Sequence, residues 1–114
     1  MIFHIARQAD WDEALRSGSY SMSTVDRTLA DEGYIHASFR SQLPGVIDRH
    51  YRDVEGRLVL LTIDPGHLSS ELREEAPPGR TERYPHIYGP LNTSAVSDST
   101  PMARDQDGRL IVPR

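Results

Sequence analysis

The stretch RLVLLTID, residues 57–64, most constrains what this chain can fold into. Its centre, Leu58 to Ile63, is apolar on both faces of an extended strand. Such a strand has to be covered on both sides. The fold must therefore supply one layer above it and one below it. A chain of 114 residues is expected to do this as one domain spanning residues 1–114. It would bury about 65% of its unfolded surface. There is no cysteine, so the core must form without a disulfide or a zinc–cysteine site.

The remaining elements suggest how the two layers arise. MIFHI reads as a first strand, with Met1, Phe3 and Ile5 on one face and Ile2 and His4 on the other. ADWDEALRSG reads as a helix. Asp10 is its expected N-cap, Glu13 closes a capping box, Trp11, Ala14 and Leu15 form the apolar stripe, and Gly18 ends it. Residues 19–32 lack a clean period and are expected to be a loop with one short helical turn. GYIHAS, residues 33–38, is a second strand. SQLPGVIDRHY is a second helix capped by Ser41, with Pro44 in its first turn and Leu43, Val46, Ile47 and Tyr51 buried. DPG at 64–66 marks a turn. SELREEA is a weakly signalled strand, HIYG and SAV are short strands, and a turn at Asp107–Gly108 leads into a terminal strand. Two early helices and many short strands indicate the α+β class.

Composition excludes several functions. The net charge is −4, with signs interspersed. No basic run marks a nucleic-acid surface, so the expectation is no nucleic-acid partner. All 13 basic residues are arginine, which rules out Schiff-base lysine chemistry and a phosphate-loop lysine. Arginine does suit phosphate, which its planar fork grips at two oxygens. No apolar run approaches the ~20 residues that span a bilayer. MIFHIARQADW lacks the charged start and long apolar middle of a signal peptide. With no cysteine, the expected location is the cytoplasm. GxGxxG, phosphate-loop and GxSxG patterns are absent.

The residues that carry chemistry are histidines and tyrosines. In YPHIY, an extended chain puts Tyr84, His86 and Tyr88 on one face. In GYIHAS the same period puts Tyr34, His36 and Ser38 on one face. His4 is the only polar side chain of the first strand. Neighbouring strands would bring the three imidazoles into one cleft. Histidine shuttles protons near neutral pH, and tyrosine stacks on flat rings while its hydroxyl bonds their edges. Such a cleft suits a nucleotide or a sugar. The structural alternative is equally concrete: His4 a satisfied core histidine, Ser38 a helix cap, Tyr84 and Tyr88 packing aromatics, His50 and His67 solvated. No HxH or HExxH pair points to a metal.

IFHI, Trp11 and Ala14 in the first helix, EGYIHAS, LVLLTID, PHIYGPLN and Ala95–Val96 together resemble the bacterial family catalogued as domain of unknown function 952, over roughly residues 1–97. That family is similar, remotely, to the ADP-ribosyltransferase superfamily. The resemblance implies a split antiparallel β-sheet with two N-terminal helices around a NAD-binding cleft. It also implies a small NAD- or nucleotide-dependent transferase. His4 would hold ribose hydroxyls, with Tyr34 and Ser38 also on the cofactor. His36, His86 and Tyr88 would carry the chemistry. The superfamily's catalytic glutamate has no counterpart in PHIYG, and Glu74 is the nearest candidate. The alternative is a non-catalytic module binding a nucleotide or sugar-phosphate in the same cleft.

Overall fold

The computed structural model describes residues 1–113. Its strands are β1 (Ile2–Arg7), β2 (Ser19–Tyr20), β3 (Ile35–His36), β4 (Leu58–Ile63), β5 (Glu71–Glu75), β6 (Tyr84–Tyr88), β7 (Leu91–Asn92) and β8 (Val96–Pro101). Its α-helices are α1 (Gln8–Ser17), α2 (Leu29–Glu32) and α3 (Leu43–His50). All strand pairings are antiparallel. The result is a mixed helix and antiparallel-sheet fold.

β4 is the middle strand of a sheet ordered β1–β4–β8, and both of its faces are covered. Val59, Leu61 and Ile63 join Ile2 and Ala6 of β1, Trp11 and Ala14 of α1, and Ile35 and Ile87 in one core. Leu58 and Leu60 join Phe3, Ile5, Leu43, Ile47, Tyr51 and Met102 in a second. The alternation of a two-faced apolar strand thus divides the interior into two cores.

A second sheet, ordered β3–β6–β5, carries a different alternation. Ile35, Ala37, Pro85 and Ile87 turn inward and are buried. The opposite face holds tyrosines, histidines and charges. The sheets are stitched where Phe3 and Ser38 exchange backbone hydrogen bonds, both of 2.8 Å. Pro85 fits the central strand because its carbonyl, and with it the position of its missing N–H, points to Ala37 beyond the end of β3.

Several local expectations shift. α1 begins at Gln8 with Arg7 as N-cap, so Asp10 lies inside the first turn and Glu13 pairs with Arg16 at 2.7 Å instead of capping. Leu15 is exposed, because Trp11 and Ala14 already fill the narrow contact face. Gly18 ends the helix in the left-handed conformation, φ 85°. Residues 19–32 contain β2 and α2, the latter held by a Thr28–Asp31 capping box. Ser41 sits within a 3₁₀ turn, and Gln42 accepts the Phe39 N–H through Oε1 at 2.9 Å. Among the described residues the C-terminal hairpin is closed by an isolated Arg104–Leu110 bridge with flanking backbone bonds, and the expected terminal strand is not formed.

Candidate functional site

The site is the polar face of the β3–β6–β5 sheet. His36 lies directly across from His86, and His86 directly across from Arg73. Period-two alternation then puts Tyr34 and His36 of the second-strand segment on one face with Tyr84, His86 and Tyr88 of β6 and Glu71, Arg73 and Glu75 of β5. His36 is a residue of β3 whose backbone faces away from β6, as alternate residues of an antiparallel pair do: its N–H bonds Ser23 O at 3.2 Å and its carbonyl accepts from His4.

Tyr34 stacks on His86 with ring centroids 4.1 Å apart and planes 21° from parallel. His36 packs edge-on to both, 4.8 Å from Tyr34 and 5.4 Å from His86. Tyr88 is 5.3 Å from Tyr34, and the Arg73 guanidinium lies 4.3 Å from the centre of the Tyr88 ring. Glu75 ties two of these rings together. Its Oε1 accepts from His86 Nδ1–H at 2.9 Å and from the Tyr88 hydroxyl. Those two donors, Tyr88 first, hold its carboxyl below the usual carboxylate range. The same bond pushes the Tyr88 phenol up, because ionising it would set two anions together. Because Nδ1–H donates to Glu75, the lone pair of this His86 tautomer lies at Nε2.

His36 is the accessible imidazole, with 39% of its side chain exposed. Partial burial and then the neighbouring His86 lower its pKa, against the opposing pull of Glu32 at 3.9 Å. Neutral His36 therefore predominates at neutral pH. His86 is 3% exposed beneath Tyr34. The face thus offers solvent an imidazole, two phenols and an ionised carboxylate.

His4 occupies a different place from the one expected. It is buried in the core beside Tyr20. Its Nδ1–H donates to the His36 carbonyl at 2.5 Å and its Nε2 accepts from the Tyr20 hydroxyl at 2.8 Å. A carbonyl can only accept, so this tautomer is fixed and no ring nitrogen remains for a ribose. Burial lowers its pKa to about 4. The cleft of three imidazoles is thus a pair, with the third supporting it from behind. Ser38 is buried at the seam between the sheets and does not cap a helix. Glu74 lies opposite Pro85, on the other face from the cluster, and Glu75 is the carboxylate that reaches it. Period-two reading of SELREEA already separates Glu75 from Glu74. The signal was weak because Leu72 is the only apolar residue of that strand. Glu32 carries no signal of its own in the sequence; the helical turn ending at Gly33 brings it to His36. His67 is exposed beside Asp64, as expected of a solvated residue.

The cluster is an open face. Two concavities, of about 180 and 410 Å³, lie elsewhere. Both are lined by Arg52, and between them by Ile47, Val54, Arg104 and Leu110. Among the described residues, no group of three histidine, aspartate or glutamate side chains is arranged to hold a metal. No helix among them is long and apolar enough to cross a membrane.

A small mixed helix and antiparallel-sheet protein, with an aromatic and histidine face closed by a carboxylate, is the class that fold and site define. The chain belongs to the family described as protein of unknown function (DUF952), whose model matches residues 5–99. It is similar to protein CC0527 from Caulobacter crescentus. The crystal structure of that protein shares 35% identity and covers 96% of this chain and 92% of its own, with a TM-score of 0.80. Its solution NMR structure shares 35% identity over 95% of this chain and 89% of its own, with a TM-score of 0.76. Among curated proteins, none matches the chain.

Proposed function

We propose that the protein is a small NAD- or nucleotide-dependent transferase, similar in type to the ADP-ribosyltransferases, whose site is the Tyr34, His36, His86, Tyr88 and Glu75 face. The observation that carries the reading is the Glu75 carboxylate, held ionised by His86 and Tyr88, which pack with Tyr34 and His36. NAD supplies a bond between ribose C1′ and nicotinamide nitrogen whose cleavage builds positive charge on the sugar. Glu75 is the anion that stabilises such charge, and it meets from a neighbouring strand the need that PHIYG leaves unmet. Tyr34 and Tyr88 offer flat faces to a base or nicotinamide ring. Neutral His36 takes the proton of the attacking acceptor hydroxyl, and the bonding pair of the broken C–N bond leaves with nicotinamide.

Incubation with NAD and measurement of released nicotinamide tests this directly. Wild type releases it, and Glu75→Gln loses most of the rate while still folding. Binding of nucleotide with no turnover across varied acceptors would overturn the transferase reading. One observation favours that second reading, a non-catalytic nucleotide or sugar-phosphate module: His86 is sealed beneath Tyr34, as a packing residue would be.

A further inference from the structure

The strongest unexplained charge lies at the Tyr84 end of the same face. Arg49, in the last turn of α3, donates from Nη2 to the Tyr84 hydroxyl at 2.6 Å. Its guanidinium folds back over Gly45, with Nη1 only 3.1 Å from where a Cβ at that position would stand. A Cβ at residue 45 would make the guanidinium give way by a few tenths of an ångström, so the glycine leaves room for the arginine to lie over it. This exposed cation pairs with no carboxylate within 4.0 Å among the described residues, and the Tyr84 hydroxyl is its one hydrogen-bond partner there. The carboxylates nearby are engaged. Glu82 accepts from Tyr84 at 3.0 Å and from Gln42 at 3.1 Å, and Asp48 pairs with Arg52 at 2.6 Å. Arg80, on the loop before β6, is likewise unpaired among the described residues.

We propose that Arg49, with His50 and Arg80 beside it, forms an anion subsite that takes the phosphates of a nucleotide whose ring lies on the Tyr34 and Tyr88 face. Tyr84 and His86 are two residues apart on β6, about 7 Å along the strand, a span one nucleotide can bridge. An arginine fork pre-positioned by glycine and tyrosine grips two phosphate oxygens with little ordering cost. The neighbourhood is cationic enough to disfavour a further positive charge. His50 is lowered by partial burial and then by Arg49 and Arg80, and His50 in turn helps to lower His36. The subsite gives the transferase reading above a diphosphate-bearing substrate, and it rests on that reading only for the ring's position.

The test is titration of the full chain with inorganic pyrophosphate and with ADP, followed by calorimetry and amide NMR. Shifts should map to residues 45–51 and 79–86. Arg49→Gln should weaken pyrophosphate at least tenfold and Arg80→Gln severalfold, while Arg109→Gln, on the other concavity, changes nothing. Arg49→Lys should restore only part of the affinity, because it keeps charge without the fork. If Arg49→Gln fails to fold, Gly45→Val, which displaces the guanidinium, and Arg80→Gln carry the same expectation. Equal pyrophosphate affinity in wild type and the folded variants, or no binding at low salt, overturns the subsite. Arginine-dependent pyrophosphate binding without nicotinamide release leaves the subsite standing and removes the transferase. Nicotinamide release insensitive to Arg49 and Arg80 does the reverse.

Discussion

Replacing His4 by leucine separates its two candidate roles. The substitution keeps an apolar side chain of similar bulk in the core but removes the ring that joins the Tyr20 hydroxyl to the His36 carbonyl. Each buried polar group left without its partner costs about 1–3 kcal/mol. Two such groups, less what leucine regains by apolar burial, amount to about 2–4 kcal/mol. For a domain of this size that lowers the melting temperature by about 8–16 °C near neutral pH. The pH dependence is sharper. Folding depresses the His4 pKa from 6.5 to about 4, so between those values the unfolded chain binds the proton that the folded chain refuses. The wild type therefore keeps the full benefit of neutral His4 above pH 6.5 and loses about 3 kcal/mol of stability as pH falls to about 4. The leucine variant carries no such proton. Its deficit should be largest near pH 7 and should nearly close at pH 4. Urea unfolding of both proteins across this range reads the difference directly, with the other titrating groups cancelling. A variant as stable as wild type at pH 7, or a deficit that does not change with pH, would refute the buried-histidine account.

Leu61→Ala, at a site with no exposed surface, should cost about 2–5 kcal/mol, read by denaturant unfolding. His36→Ala should leave the melting temperature nearly unchanged and abolish nucleotide binding; equal loss of stability and unchanged affinity would make His36 structural. Glu75→Gln should bring the Tyr88 phenol back toward the ordinary tyrosine range, measured by ultraviolet titration of tyrosinate, since the carboxylate is the first cause of its elevation. Gly89→Ala should destabilise the sheet edge, because its backbone has φ 152° and the added Cβ would stand 2.5 Å from Ser70 Oγ; a melt matching wild type would count against that strain.

Local chemistry in the sequence already specified much of the framework. Apolar residues on both faces of 58–63 demanded a central strand between two layers, and β4 is that strand. Alternation in YPHIY and GYIHAS set Tyr34, His36, His86 and Tyr88 on matching faces, because side-chain direction in a strand depends only on parity. Gly18 marked a helix end for the same local reason. Partner choice is different, since it depends on register between strands far apart in the chain. Nothing near His4 foretells that its ring meets the carbonyl of His36 and the hydroxyl of Tyr20. Parity with Leu72 separates Glu75 from Glu74, but nothing near Glu75 foretells that its strand pairs with β6 and brings the carboxylate to His86 and Tyr88. Arg49 reads as one more charge at a helix end until α3 is laid beside Tyr84. Parity along a strand was legible in the residues themselves, whereas the pairing that makes histidines, tyrosines and a carboxylate one site came only from the packing of β3, β5 and β6 against the β1–β4–β8 sheet.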